Sequence, residues 1–132
     1  MDSLGQLLAL AQSPDPLDRA AAGQGLVGHI GDPRADVALV SLIGDAEDTL
    51  PTFDTSAALV TRGDDAAFRI LALALGTADQ DSVSHSLDAL AGAAQSQPDA
   101  DALRARLHVV VSDPDADVRR GAAILLGWFD RP

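Results

Sequence analysis

Residues 113–127 read Asp-Pro-Asp-Ala-Asp-Val-Arg-Arg-Gly-Ala-Ala-Ile-Leu-Leu-Gly, and this segment has the clearest helix signal of the chain. It opens with aspartates around a proline. Such a start is typical of a helix N-terminus, because the carboxylate accepts amide hydrogen bonds and proline already has a helical φ. Apolar residues then follow helical spacing at Val118, Ala122, Leu125, Leu126 and Phe129. The stretch therefore predicts an amphipathic helix that begins at an aspartate.

The same arrangement recurs along the chain every 33 residues, and four such periods make up its 132 residues. One row of apolar residues shows this spacing at Leu4, Val37, Ile70 and Leu103. A second row, with a two-residue slip before its last member, consists of Leu17, Leu50, Val83 and Val118. The repeats are expected at about 1–33, 34–66, 67–99 and 100–132.

Segments rich in Asp, Gly and Pro interrupt the apolar stripes and mark the helix ends. The stripes predict an all-α fold of eight helices in four antiparallel pairs, stacked as an α-solenoid. The first helices of the pairs are expected at about 2–12, 34–44, 66–77 and 99–111. The second helices are expected at about 16–30, 50–62, 81–95 and 115–129.

The pattern of residues 113–127 resembles the second helix of a HEAT repeat, with an Asp-rich turn, then Val-Arg, small residues and Leu-Gly. Residues 31–45 resemble the link into the next first helix, and residues 15–22 are a looser copy. The short period is similar to that of compact bacterial HEAT-like repeats of the phycobilisome-lyase type. Pro51 and Ser84 replace the arginine of that pattern in the second and third units. The resemblance implies a HEAT-like superhelix that recognises partners on its second helices or along its turns.

Two other repeat families have a similar period, but their signatures do not occur in this chain. Ankyrin repeats share the 33-residue period, yet no Thr-Pro-Leu-His motif is present and the predicted helices at 16–30 and 81–95 are too long for a first ankyrin helix. Tetratricopeptide repeats need Trp and Tyr at set positions, whereas this chain has one Trp and no Tyr. HEAT-like repeats are therefore the favoured interpretation of the 33-residue period.

Composition excludes several classes of function. The chain has 20 acidic and 9 basic residues, a net charge of −11, which disfavours binding to nucleic acid or to an anionic membrane. The absence of Cys removes disulfides and thiolate chemistry and fits a reducing compartment. No apolar tract reaches the ~20 residues of a membrane span. We expect a cytoplasmic, bacterial protein, with a monomer as the favoured oligomeric state.

No motif predicts catalysis, a cofactor or a metal ion. Asp113, Asp115 and Asp117 resemble the start of a calcium loop, but Val118 stands where such a loop needs glycine. The three histidines lack zinc-site spacing. Ser84 and His85 are adjacent on one predicted helix, so they cannot face each other as a nucleophile and its base. We therefore expect a protein that is not an enzyme.

The candidate binding surface combines acidic turns with the polar faces of the second helices. Acidic turn residues serve as helix caps, but some turns carry more of them than capping needs, which leaves a functional acidic ridge open as an alternative. The residues expected to contact a partner are Asp48, Asp81, Ser84, His85, Asp88, Asp113, Asp115, Asp117, Arg120 and Trp128.

The predicted function is that of a protein–protein interaction module or scaffold with a basic protein partner. An inhibitor or immunity-type protein that masks a cationic enzyme surface is a narrower form of this hypothesis. The alternative is an accessory subunit of a lyase-like or other HEAT-containing enzyme, which the resemblance implies for some members of that family.

Overall fold

The computed structural model describes residues 3–45, 47–80, 83–88 and 100–129, and these residues contain helices and no strand. The first five helices are α1 (Ser3–Leu10), α2 (Pro16–Leu26), α3 (Pro33–Ile43), α4 (Thr49–Arg62) and α5 (Asp65–Thr77). Residues 83–88 belong to a further helix, α6. The last two are α7 (Ala100–Val110) and α8 (Ala116–Phe129). The all-α fold class is confirmed; the rest of the helix expected at 81–95 lies outside the described residues.

An aspartate carboxylate caps the start of four described helices, and in α2 and α3 this aspartate precedes a proline, as the Asp-Pro pattern predicts. In each case a carboxylate oxygen accepts a hydrogen bond from a backbone amide of the first turn, which satisfies a donor that the helix itself leaves without a partner. These bonds are 2.8 to 3.3 Å long and are made by Asp15 in α2, Asp32 in α3, Asp64 in α5 and Asp115 in α8. The sequence therefore locates these four helix starts correctly.

Helix α2 ends earlier than its predicted end at residue 30. The α-helix stops at Leu26 and continues as a single 3₁₀ turn, Val27–His29. Glycines at 25 and 28 lower the helical propensity there. In addition, the Arg62 guanidinium of α4 donates a hydrogen bond to the Val27 carbonyl. A backbone carbonyl at the end of α2 is thus bonded to a side chain of α4.

The helices share one apolar core, whose large fully buried side chains include Phe68, Leu39, Leu71 and Leu125. The predicted apolar rows do not all belong to it. Leu4, Ile70, Leu103 and Val118 are buried, but Val37 is 68% and Leu17 67% exposed.

Helix α3 accounts for the exposure of Val37. Its buried face is formed by Ala35, Leu39 and Leu42, at i, i+4 and i+7. Val37 follows Ala35 by two residues, which is about 200° around the helix. Its side chain therefore lies on the opposite face, and a shared 33-residue spacing does not guarantee a shared environment.

The helices pack on their sequence neighbours and on the equivalent helix of the next pair. Such contacts join α1 to α2, α3 to α4, α7 to α8, α2 to α4 and α3 to α5. Among the described helices, the most extensive packing is between α5 and α8, which are neither sequence neighbours nor equivalent helices of successive pairs. No helix within the described ranges is long and apolar enough to cross a bilayer. The structure establishes this helix-on-helix packing, while a regular four-pair solenoid stays a prediction.

The contact between α5 and α8 is so close that two glycines are required. A Cβ atom on Gly121 would lie 1.7 Å from the carbonyl oxygen of Ala72, and one on Gly76 would lie 1.9 Å from that of Asp117. Both distances are far below any van der Waals contact. The backbones of the two helices therefore touch directly at these positions.

Candidate functional site

The turn between α7 and α8 brings together four of the predicted partner-binding residues, Asp113, Asp115, Asp117 and Arg120. Asp115 caps α8 by accepting the amides of Asp117 at 2.8 Å and Val118 at 3.3 Å. Asp113 accepts the amide of Asp115 at 2.9 Å. The sixth position of the calcium-loop comparison, Val118, is fully buried. The backbone of this turn therefore uses much of the acceptor capacity of its carboxylates.

Arginines bind the same turn from two helices. Arg69 of α5 holds the Asp113 carboxylate with Nε at 2.8 Å from Oδ2. Arg120 contacts Asp117 at 3.0 Å and also donates to the carbonyl of Gly76 at 2.8 Å, near the end of α5. Arg120 thus links α8 to α5.

A second ionic cluster joins the α1–α2 turn to the α3–α4 turn through Arg19. Its Nε lies 2.8 Å from Asp45, its NH2 lies 2.5 Å from Asp48, and its NH1 donates to the carbonyl of Ser13 at 2.9 Å. Arg19 is only 8% exposed. Asp45 also accepts the amides of Glu47 and Asp48 at 3.0 Å.

This cluster was not predicted from the sequence, where Arg19 is not among the candidate residues. The sequence feature that indicates the cluster is the α3–α4 turn, which has two aspartates and a glutamate, more acidic residues than the capping of one helix requires. In the structure Asp48, a predicted partner-binding residue and the N-cap of α4, makes no capping bond. Its carboxylate instead binds Arg19.

The carboxyl groups with shifted pKa values are all shifted downwards. The Arg69 and Arg62 guanidinium groups lower the pKa of Asp113 and Asp64 respectively, and Arg34 does the same for Asp32. Burial on its own raises the pKa of Asp45, but the amides of Asp48 and Glu47 together with Arg19 outweigh it and leave the pKa below its usual value. These groups stay ionised near neutral pH, whereas a general acid needs a raised pKa.

The remaining predicted partner-binding residues lie on α6 and near the end of α8. Ser84 and Asp88 of α6 are exposed, and His85 is half-buried. Trp128 is half-buried and packs against the core. Asp81 lies outside the described residues. The predicted surface is therefore divided between the acidic turns and separate helix faces.

Grooves lie between neighbouring helices of the described residues, and two of them bear on binding. The larger, of about 480 Å³, runs between α2 and α4 and is lined by Gln24, Val27, Asp54, Ala57, Ala58, Thr61 and Arg62. The other, of about 250 Å³, lies between α3 and α5 and includes the exposed Val37. Asp54 is not among the residues predicted from the sequence. The sequence feature that indicates a groove beside it is the set of small residues three, four and seven positions later, which leaves space on one face of the helix.

Each arginine of the described residues is held by acceptors of the chain itself. Seven contact an aspartate: Arg19, Arg34, Arg62, Arg69, Arg104, Arg106 and Arg120. Arg119 donates instead to the carbonyls of Asp113 and Pro114. The carboxylates of Glu47, Asp54 and Asp88 have no such bond in the described part of the chain. Among the described residues, carboxylates without a cation therefore outnumber arginines without a carboxylate, of which Arg119 is the one case.

Within the described ranges, no group of three His, Asp or Glu side chains is arranged to hold a metal ion. A comparison of the chain with models of known protein families, with curated proteins and with solved structures finds no match. The resemblance to HEAT repeats therefore rests on the residues quoted above.

Proposed function

We propose that this chain is a non-catalytic protein-binding module of HEAT-like helix pairs, and that its partner is a basic protein. The observation that carries the proposal is the division of charge just described. Internal acceptors engage the described arginines, whereas Glu47, Asp54 and Asp88 present carboxylates without a cation. A surface with one sign of uncompensated charge attracts oppositely charged proteins and speeds their encounter.

The helix-pair architecture is supported by packing and by local geometry. Helices α2 and α4 contact each other, as do α3 and α5, which is the neighbour relation of stacked repeats. The turns that precede α2 and α8 have the same pattern of backbone bonds, from residues 11, 12 and 13 in one case and 111, 112 and 113 in the other. Stacked pairs offer the extended surface on which repeat proteins bind partners.

The α2–α4 groove is the best-supported contact surface for such a partner. It is a groove of about 480 Å³ that is largely open to solvent. Asp54 supplies a carboxylate without a cation, while Ala57 and Ala58 leave room for an aliphatic stem. An arginine or lysine side chain of the partner fits this combination, because its stem packs on apolar surface and its head needs an acidic acceptor.

The acidic turns are weaker candidates for direct contact. Asp113 and Asp115 already bind Arg69 and backbone amides, so a partner cation has to compete with bonds that hold the fold together. Substitution of Asp113, Asp115 and Asp117 together would also remove the cap of α8. A loss of binding by that triple variant would therefore not distinguish contact from unfolding.

The proposal is tested in two steps. The tagged chain is used to capture proteins from its native cell extract at low salt, and the column is then washed at ~0.5 M salt, where the Debye length falls to a few ångströms. A basic protein that is retained first and released by salt is the expected result. Recovery of the chain alone at low salt contradicts the proposal.

The second step measures the affinity of the captured protein for two matched variants. Asp54→Asn removes the groove carboxylate, whereas Asp101→Asn removes a carboxylate whose side chain is 91% exposed at the start of α7. We expect Asp54→Asn to weaken binding about tenfold, a loss of ~1.4 kcal/mol, and Asp101→Asn to change it by less than about twofold. Equal effects of the two variants contradict the groove as the contact surface.

A further inference from the structure

The turns that begin α2 and α8 have the same hydrogen bonds at a constant offset of 100 residues. The amide of Asp15 donates to Ser13 Oγ at 3.1 Å, and the amide of Asp115 donates to Asp113 Oδ1 at 2.9 Å. Two residues later, the amides of Leu17 and Asp117 donate to the N-cap carboxylates at 2.9 and 2.8 Å. The first and last helix pairs are therefore equivalent at this turn.

Arg19 and Arg119 occupy the same position in these two turns. Each lies four residues after the N-cap aspartate, and its amide donates to the carbonyl of that aspartate, at 3.2 and 3.1 Å respectively. Each also donates from NH1 to the carbonyl two residues before the N-cap, at 2.9 Å to Ser13 and 2.8 Å to Asp113. The two guanidinium groups are thus held in the same way.

The two arginines differ in what their other nitrogens contact. Nε and NH2 of Arg19 bind Asp45 and Asp48, which belong to the acidic turn of the neighbouring pair, and Arg19 is buried. Nε and NH2 of Arg119 donate to no acceptor within the described ranges, and Arg119 is exposed. Arg119 therefore exposes Nε and NH2, the same two donor atoms with which Arg19 binds an acidic turn.

We infer that Arg119 binds the α1–α2 turn of a second copy of this chain and joins the copies head to tail. Within that turn, Asp15 is the counterpart of Asp48, since both are N-cap residues, and the exposed Asp15 carboxylate contacts no cation of the described part of the chain. The Arg19–Asp48 bond thus supplies the pattern for an Arg119–Asp15 bond between copies.

Apolar side chains on the first and last pairs supply further complementary surface. Leu10 and Leu17 of the first pair are 36% and 67% exposed, and Val109 of the last pair is 64% exposed. A contact between different surfaces of identical copies does not close on itself as a two-fold dimer does, so it joins the copies into open chains, or into a ring where the rotation between copies closes. The net charge of −11 per copy opposes association at low salt, and this repulsion is screened at 0.15 M salt, where the Debye length is about 8 Å.

Light scattering of the full chain at 0.15 M salt, over a concentration series up to about 0.5 mM, tests this contact in the range where weak association is visible. The average mass of the natural chain is expected to rise above the 13.5 kDa of one copy. Arg119→Glu and Asp15→Asn are each expected to remain at the mass of one copy. Asn still caps a helix, so Asp15→Asn removes the charge and retains the start of α2.

A mixture of the two variants distinguishes a head-to-tail contact from any other. The Asp15→Asn copy keeps its Arg119, and the Arg119→Glu copy keeps its Asp15, so together they form one intact contact. The mixture is therefore expected to reach twice the mass of one copy and no more. The control is Arg34→Glu, which alters an arginine with 64% of its side chain exposed on α3 and should associate like the natural chain.

Three outcomes overturn the inference. They are a natural chain that stays at the mass of one copy throughout the series, an Arg119→Glu variant that still associates, and a mixture in which no heterodimer forms. Circular dichroism of each variant checks that the helices are retained. Because no basic partner takes part, failure of this test does not affect the proposed binding function.

Discussion

At the level of single residues, two buried threonines of α4 lead to opposite predictions for the free energy of unfolding. Thr52 and Thr55 are both about fully buried. Thr52 donates to the carbonyl of Ile43 at 2.8 Å, whereas the hydroxyl of Thr55 has no partner and faces Gly23 so closely that a Cβ there would lie 1.9 Å away. A buried hydroxyl without a hydrogen bond is destabilising.

We therefore expect Thr55→Val to raise the free energy of unfolding by about 1 kcal/mol, since the desolvated hydroxyl is replaced by a methyl group. Thr52→Val, the same change one helical turn away, should lower it by about 1 kcal/mol or more, because the Ile43 carbonyl loses its donor. Urea unfolding measures both. If the two variants change the midpoint in the same direction, the different roles assigned to these hydroxyls are wrong.

The carboxyl group of Asp45 predicts a dependence of stability on pH. Its pKa is lowered in the folded chain, because the bonds from backbone amides and Arg19 outweigh the effect of burial. The stabilisation is therefore complete above the unfolded pKa of about 3.9 and is lost as the pH falls through the lower folded value.

Asp45→Asn should accordingly destabilise the chain by about 2 kcal/mol at pH 7, the scale of a hydrogen bond to a charged group. We expect this difference from the natural chain to stay constant down to about pH 5 and to shrink below about pH 4. Urea midpoints at several pH values test it, with Asp101→Asn as a control. A difference that grows towards acid pH contradicts the assigned sign.

The same residues show what sequence can predict at this scale. Asp-Pro pairs correctly locate the starts of α2 and α3, because capping depends on neighbours within a few residues. The burial of Arg19 could not be predicted, since its partners Asp45 and Asp48 lie 26 and 29 residues away. Arg119 occupies the same local position and is exposed, so local sequence does not decide between the two environments.

At the scale of helices, the contact between α5 and α8 depends on the absence of side chains at Gly76 and Gly121. Periodicity predicts which face of each helix is apolar, and the described helices lie near their predicted positions. It does not predict that these two helices form the most extensive contact among the described helices. That pairing follows from how closely two backbones approach, which the glycines permit and a hydrophobic pattern does not reveal.

Two glycines on α8 provide a direct test of that contact. Gly121→Ala places a methyl group 1.7 Å from the Ala72 carbonyl oxygen, so the helices must separate; we expect a loss of at least about 2 kcal/mol. Gly127→Ala places the same group in open space, where the gain in helix propensity should stabilise the chain by about 0.5 to 1 kcal/mol. Thermal or urea unfolding compares the two variants. Similar stabilities for both would show that α5 and α8 do not touch at Gly121.

At the scale of the whole molecule, ion pairs and uncompensated carboxylates respond differently to salt. The arginine–aspartate pairs act over short distances, and the Arg19–Asp45 pair is largely shielded from solvent. The 20 acidic residues outnumber the 9 basic ones, so mutual repulsion of the excess carboxylates acts over the entire surface. Screening weakens such long-range repulsion more than it weakens partly buried pairs.

We therefore expect the urea midpoint of the chain to rise when sodium chloride is increased from 0.1 to 1 M, where the Debye length falls from about 10 to about 3 Å. The triple variant Glu47→Gln, Asp54→Asn, Asp88→Asn changes the net charge from −11 to −8 without breaking an ion pair of the described residues. It should therefore be more stable than the natural chain at 0.1 M salt, and its stability should increase less when salt is added. General effects of salt on apolar surface act equally on both chains, so the difference between their slopes isolates the repulsion. A midpoint that falls with salt, or equal slopes for the two chains, would mean that the ion pairs rather than the excess carboxylates dominate the electrostatics of this fold.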